Sequence, residues 1–142
     1  GIVVFSGAAF ALTLAGPIMP RTPTPTDAMW QTFSPALLEQ KIREGKTVFV
    51  DVTADWCLTC KANERFILSQ DDIKQRLFHS NVVALRADWT NPDPAITEFL
   101  HKYGRYGIPF NIVFGAKALD GIPLPELLTH DDVMDGLKKA SE

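Results

Sequence analysis

From residue 29 onward the apolar positions alternate between short continuous runs and stripes spaced three or four residues apart. The runs Thr47–Thr53, Val82–Ala87 and Phe110–Phe114 are rich in β-branched and aromatic residues, the composition of buried strands. Met29–Phe33 reads as a short first strand. The stripes Leu37, Leu38, Ile42, then Ile96, Phe99, Leu100, Tyr103, and finally Val133, Met134, Leu137 predict helices with one buried face. Ser34-Pro35 and Asp93-Pro94 are start signals, Thr129 is a cap, and Gly45 and Gly104 are stops. Ser69, with Asp72 three residues on, predicts the cap of a short helix ending at Phe78. Leu124–Leu128 reads as an edge strand, since Pro123 and Pro125 cannot donate to a central ladder. The resulting order, β-α-β-α-β-α-β-β-α, predicts an α/β fold with a central mixed sheet and helices on both faces.

The first 29 residues do not follow this pattern. Ile2 to Met19 is apolar apart from Ser6 and Thr13 and carries no charge. As a helix it would rise about 27 Å, close to the thickness of a bilayer core. It lacks the basic start of a signal peptide. Residues 1–19 are therefore expected to be the end of a transmembrane helix, with a buried hydrophobic arm as the alternative. Arg21 alone does not set a topology. Pro20 to Thr26 alternates proline with threonine and arginine, which favours an extended spacer, so residues 20–29 read as a linker and 30–142 as the folded domain.

Composition narrows the chemistry. The net charge is −3 over 142 residues with no dense basic run, which argues against nucleic acid as a partner. The two cysteines, Cys57 and Cys60, lie three positions apart. Cys57 follows a buried strand and would open a helix, where unpaired N–H groups and the positive dipole end stabilise a thiolate. Cys60 lies one turn on, on the same face, so the pair can cycle between dithiol and disulfide through a mixed disulfide. Cys57 is the expected attacking thiol and Cys60 the more buried resolving thiol. A zinc site would need further ligands, and His79, His101 and His130 are scattered. A copper(I) site needs only two thiolates and stays open. A purely structural disulfide closing so short a loop would constrain little.

Three further residues bear on that pair. Asp51 lies in the strand between Val50 and Val52, where a buried carboxylate resists ionising and can pass protons to or from a thiol. The alternative is a solvated residue at a strand edge. Glu64, four residues after Cys60, falls on the same helical face, and its charge would oppose thiolate formation. An ordinary solvated helix residue is the competing reading. Asp55 is expected to face solvent. Pro109, after Gly107-Ile108, suits a tight turn with either a cis bond or a trans proline opening a strand. A cis bond would expose the Ile108 backbone to an incoming extended peptide.

The segment Val50-Asp51-Val52-Thr53-Ala54-Asp55-Trp56-Cys57-Leu58-Thr59-Cys60-Lys61, with Lys102-Tyr103-Gly104-Arg105-Tyr106-Gly107-Ile108-Pro109 downstream, resembles a thioredoxin-fold active site. The resemblance covers roughly residues 30 to 140. More narrowly, Ala54-Asp55-Trp56-Cys57 with Cys60-Lys61 and Glu64, and Ala87-Asp88-Trp89-Thr90, is similar to the C-terminal domain of the transmembrane thiol:disulfide interchange proteins (DsbD and ScsB type). The resemblance implies a thioredoxin-like fold and a protein-disulfide reductase without a cofactor or metal beyond the Cys57-Cys60 pair. It implies a membrane-embedded thiol:disulfide domain as electron donor, supplied from cytosolic thioredoxin, and a periplasmic disulfide protein as acceptor. The location implied is the bacterial inner membrane, facing the periplasm. Asp51 and Glu64 match the carboxylates that tune the family's nucleophilic cysteine, and Trp56, Ile108 and Pro109 match its partner-binding surface. Leu58-Thr59 departs from the Gly-Pro of thioredoxins proper, Trp89 to Pro94 looks longer, and Ala116 to Pro125 is irregular. A periplasmic oxidase or isomerase is the alternative within this chemistry, and a copper(I)-binding module the alternative outside it.

Overall fold

Five strands form one mixed sheet in the order β1-β3-β2-β4-β5, in a computed structural model that describes Gly1 and residues 29–142. The apolar segment and almost all of the linker expected above lie outside the described residues. β1 (Trp30–Thr32), β2 (Thr47–Thr53) and β3 (Val82–Asp88) run parallel, whereas β4 (Phe110–Gly115) and β5 (Ala118–Pro123) pair antiparallel. Every residue of β2 and of β4 is buried, which is why both read as continuous apolar runs.

The period of two along β2 divides the core. Val48, Val50 and Val52 point to one face and pack with Leu85, Leu100 and Ile112 beneath α1 (Pro35–Arg43) and α4 (Pro94–Lys102). Phe49 points to the other face and packs with Ile73, Leu77, Val113 and Leu137 beneath α3 (Asp71–Leu77) and α5 (His130–Ser141). Ser34 and Asp93 cap α1 and α4 through their side chains, and Thr129 with Asp132 forms a capping box on α5. Gly45 and Gly104 follow the ends of α1 and α4 with φ of 77° and 67°, the left-handed conformation that releases the chain from a helix.

Two boundaries differ from the sequence reading. The edge strand is Ala118–Pro123 rather than Leu124–Leu128. In the latter segment the Leu124 N–H still donates to the Asn111 carbonyl of β4, but Pro125 has no N–H, the Glu126 carbonyl accepts from Asn63 Nδ2 and the Leu128 N–H donates to Asn63 Oδ1, so beyond Leu124 the backbone turns to a helix side chain. β5 escaped detection because Asp120-Gly121 interrupts its apolar pattern. Ser69 is not a cap either: its hydroxyl donates to the Arg65 carbonyl, and Gln70 precedes α3 in extended conformation. The helix opened by the cysteines is α2 (Leu58–Asn63), which widens into a π-helical segment at Glu64–Leu68 before α3.

One ion pair ties α3 to α5. His130 Nε2 lies 2.5 Å from Asp72 Oδ2, and His130 Nδ1 lies 3.3 Å from Asp131 Oδ1. Asp72, then Asp131, raises the His130 pKa, and His130 in turn lowers that of Asp72. A raised histidine pKa contributes stability that is present below its unfolded value and lost as pH rises through the folded value. His130→Gln should therefore lower the urea midpoint near pH 6 and leave it unchanged at pH 9. Equal losses at both pH values would show that packing, not charge, carries the contact.

Candidate functional site

The C-terminal end of β2 leads directly into the cysteine pair. Cys57 and Cys60 form a disulfide with Cα atoms 5.3 Å apart, within the range that bridging requires. The Cys57 N–H donates to the Ala54 carbonyl, and Cys57 Sγ caps α2 by accepting from the Cys60 N–H at 3.2 Å. The sulfur that caps a helix is held where a thiolate would meet backbone N–H groups. Cys57 is 6% exposed and Cys60 1%, the order expected for attacking and resolving thiols.

Two neighbouring segments brace this turn. The Ile108-Pro109 peptide is cis, Pro109 is buried, and Ile108 packs against the cluster of Ala54, Cys57 and Cys60. Thr90, beyond β3, accepts from the Asp55 N–H through its hydroxyl and from the Trp56 indole through its carbonyl, at 2.9 and 3.2 Å. Asp88 fixes the Thr90 hydroxyl and backbone N–H. Trp56 thus stays largely exposed beside the disulfide with its ring held, 6.4 Å from the Trp89 ring. Leu58 and Tyr106 are also exposed, and Asp55 faces solvent.

Within the sheet, on the strand that leads to the disulfide, lies a polar row. Asp51 is register partner to Arg86 of β3 and to Asn111 of β4. All three project on the Phe49 side, one layer above Ala84, Phe49 and Val113. Asn111 Nδ2 donates to Asp51 Oδ1 at 2.8 Å and Arg86 Nε donates to Oδ2 at 3.3 Å. The Arg86 guanidinium lies 4.1 Å from the centre of the Trp30 ring, which holds it over the sheet. Next along β2, the Thr53 hydroxyl donates to Glu64 Oε1 at 2.7 Å, and Lys61 Nζ lies 3.4 Å from Glu64 Oε2. Glu64 is therefore not free in solvent: it links α2, through Lys61, to the end of β2, through Thr53.

These contacts set the charge on Asp51. Burial pushes its pKa up from 3.8 to about 6, the Glu64 charge adds to the rise, and Arg86 and Asn111 oppose it. Arg86, Asn111, Thr53 and Thr90 were not singled out from the sequence. The signal for the first two is visible: each is a lone polar residue inside an apolar strand, as Asp51 is. Thr90 and Thr53 give no such signal, because threonine suits strands and loops without a partner. Among the described residues no group of three His, Cys, Asp or Glu side chains could hold a metal ion.

Comparison with known proteins agrees with this geometry. Residues 29–116 match the family described as thioredoxin-like. The chain is 35% identical over 97 residues to thiol:disulfide interchange protein DsbD 1 of Pseudomonas aeruginosa, a match covering 65% of the chain but 16% of that protein. The fold matches the C-terminal domain of Neisseria meningitidis DsbD. In the oxidised form the TM-score is 0.62 at 23% identity, covering 78% of this chain and 99% of that one. In the reduced form it is 0.59 at 25% identity, covering 74% and 91%. The chain belongs to the thioredoxin-like family, and its two cysteines are joined in the Cys57-Cys60 disulfide.

An acid whose pKa is raised on folding destabilises the folded state once it must ionise. The penalty is absent below pH 3.8 and grows as pH rises to 6. A rise of about two units corresponds to a penalty of order 3 kcal/mol at pH 8. Asp51→Asn should accordingly raise the stability of the oxidised domain at pH 8 by up to that amount and change it little at pH 4. Urea titrations at the two pH values measure this; a variant destabilised equally at both would contradict the penalty.

Proposed function

We propose that this thioredoxin-like domain relays electrons by dithiol–disulfide exchange, from a membrane-embedded cysteine pair to disulfides of periplasmic proteins. The observation that carries the reading is the disulfide itself: it caps a helix, packs against Ile108 of the cis-proline segment, and follows a strand that carries a buried carboxylate of raised pKa. The likeness to DsbD proteins supports the direction of flow. The chain spans 16% of the length of its Pseudomonas aeruginosa relative, so the donor and acceptor are inferred. On the same reading the domain faces the periplasm, with residues 1–19 ending a transmembrane helix and 20–29 a spacer to the domain at 30–142. No helix among the described residues is long and apolar enough to cross a membrane.

The chemistry proceeds in two exchanges. A thiolate of the donor attacks Cys57 Sγ, the Cys57-Cys60 bond breaks, and Cys60 leaves as a thiolate that takes a proton from the Asp51 carboxyl. The second donor thiol then displaces Cys57, which leaves the donor oxidised and the domain as dithiol. Toward the acceptor the steps reverse: Cys57 thiolate attacks the acceptor disulfide, Cys60 gives its proton to Asp51, and Cys60 attacks Cys57 to release the reduced acceptor. Glu64 tunes the charge of Asp51. Trp56, Ile108 and Pro109 line the approach, the Ile108 backbone pairing with an extended segment of the partner.

Cys57→Ser should abolish exchange with a disulfide substrate, whereas Cys60→Ser should accumulate a mixed disulfide visible on a non-reducing gel. Turnover by Cys57→Ser would overturn the assignment of the nucleophile. Direction is read from equilibration with glutathione. An electron donor should sit near the thioredoxin end of the range, about −270 mV, and a value near −120 mV would make the domain an oxidase.

A further inference from the structure

Asn111 is buried in the centre of the sheet, 1% exposed, with its amide nitrogen on Asp51 Oδ1. Its other end is unusual: Asn111 Oδ1 is buried with no hydrogen-bond donor in reach among the described residues. A buried amide oxygen without a partner is costly, so this arrangement calls for a reason. Asp51 supplies one. The proposed exchange carries this carboxyl through both protonation states, and each state needs a different neighbour. The carboxylate needs a donor; the carboxylic acid needs an acceptor for its O–H. The charged and titratable groups facing Asp51 are Arg86 from β3 and Glu64 from the π-helical segment, with the cysteine pair of α2 beyond. Arg86 only donates, and Glu64 Oε1 is taken by Thr53 and Oε2 by Lys61. Asn111 alone carries both a donor and a vacant acceptor on one rotatable group.

We propose that Asn111 is a positioning residue for disulfide exchange: its amide turns half a revolution about χ2 as Asp51 gains or loses its proton, presenting Nδ2 to the carboxylate and Oδ1 to the acid. The vacant end is what permits the turn. An amide held at both ends would lose a second bond on rotating, whereas here each orientation keeps one bond to Asp51 and leaves one end unpaired. The two states are thereby kept close in free energy, and Asp51 can return the proton it takes up. When Cys60 leaves as a thiolate, the Asp51 O–H bond breaks, a Cys60 S–H bond forms, and the amide turns to place its N–H on the new carboxylate. This builds on the reading of Asp51 as the proton carrier given above.

The test is a pH titration of the oxidised domain by NMR, following the Asp51 carboxyl carbon and the Asn111 side-chain N–H groups together, with no thiol partner present. Both should report one midpoint near 6, with the Asn111 N–H losing its hydrogen-bonded shift on the acid side. An Asn111 amide that stays hydrogen-bonded through the Asp51 midpoint would overturn the proposal. Variants give the second arm. Asn111→Val can neither donate nor accept; of the two bonds it removes, the one to the ionised carboxylate is the stronger, so the Asp51 midpoint should move up by about one unit. Asn111→Thr, of similar shape with a hydroxyl that does both, should restore it. The pH profile of reduction by dithiothreitol, corrected for its thiolate fraction, should shift with the same variants in the same order. An unmoved Asp51 midpoint in folded Asn111→Val refutes the role of Asn111. The trapping experiment with Cys60→Ser is independent of it and tests the exchange reading alone.

Discussion

A carboxylate buried at the middle of a sheet is the constraint from which the surrounding architecture follows. Asp51 occupies the central strand, so both of its register partners lie within the protein and neither can be water. An isolated carboxylate there would stay protonated at any physiological pH. Arg86 and Asn111 from the flanking strands bring it back toward titration near neutrality. Arg86 could not do so if it escaped to solvent, and the Trp30 ring on the edge strand holds it down. The short β1 thus bears on the charge of Asp51 although it lies two strands away from β2.

The change of direction in the sheet matters as much. β1, β2 and β3 run parallel and end at the same edge, which delivers Cys57 from β2 and the Asp88-Thr90 turn from β3 to one place. β4 runs antiparallel, so it is the start of that strand, with Pro109 just before it, that reaches this edge. Had β4 been parallel, its preceding loop would lie at the far end. Asn63 then ties the segment before α5 to α2, and Arg105 reaches Glu126 at 3.7 Å, so the loops around the disulfide brace one another.

Much of this was legible in the sequence because it rests on local chemistry. The caps at Ser34, Asp93 and Thr129, the three long strands, the cysteine pair and the buried position of Asp51 all follow from patterns of period two, period 3.6 or capping residue type. What was missed depends on partners distant in sequence. Ser69 looks like a cap for α3 until, at the end of the π-helical segment, its hydroxyl turns back to the Arg65 carbonyl, and Leu124–Leu128 looks like a strand until Asn63 claims the end of its backbone. Arg86 and Asn111 become meaningful only once the register sets them opposite Asp51, and Thr90 only once it meets Asp55 and Trp56.

The exchange reaction separates into parts that this architecture assigns to different layers. On the proposed exchange electrons move only through sulfur, so the partner must reach Cys57, beside which Trp56 stands exposed. Protons need no such access. Cys60 is almost fully buried, and the carboxyl that would serve it lies in the layer beneath, out of a partner's reach. On the proposed relay the same domain meets a donor on one occasion and an acceptor on another, through one surface. A proton carrier kept inside the sheet behaves identically with both. The direction of electron flow then follows from the domain's potential relative to its partners', while on this reading the speed of each exchange rests on how evenly Asp51 and its neighbours hold the two proton states.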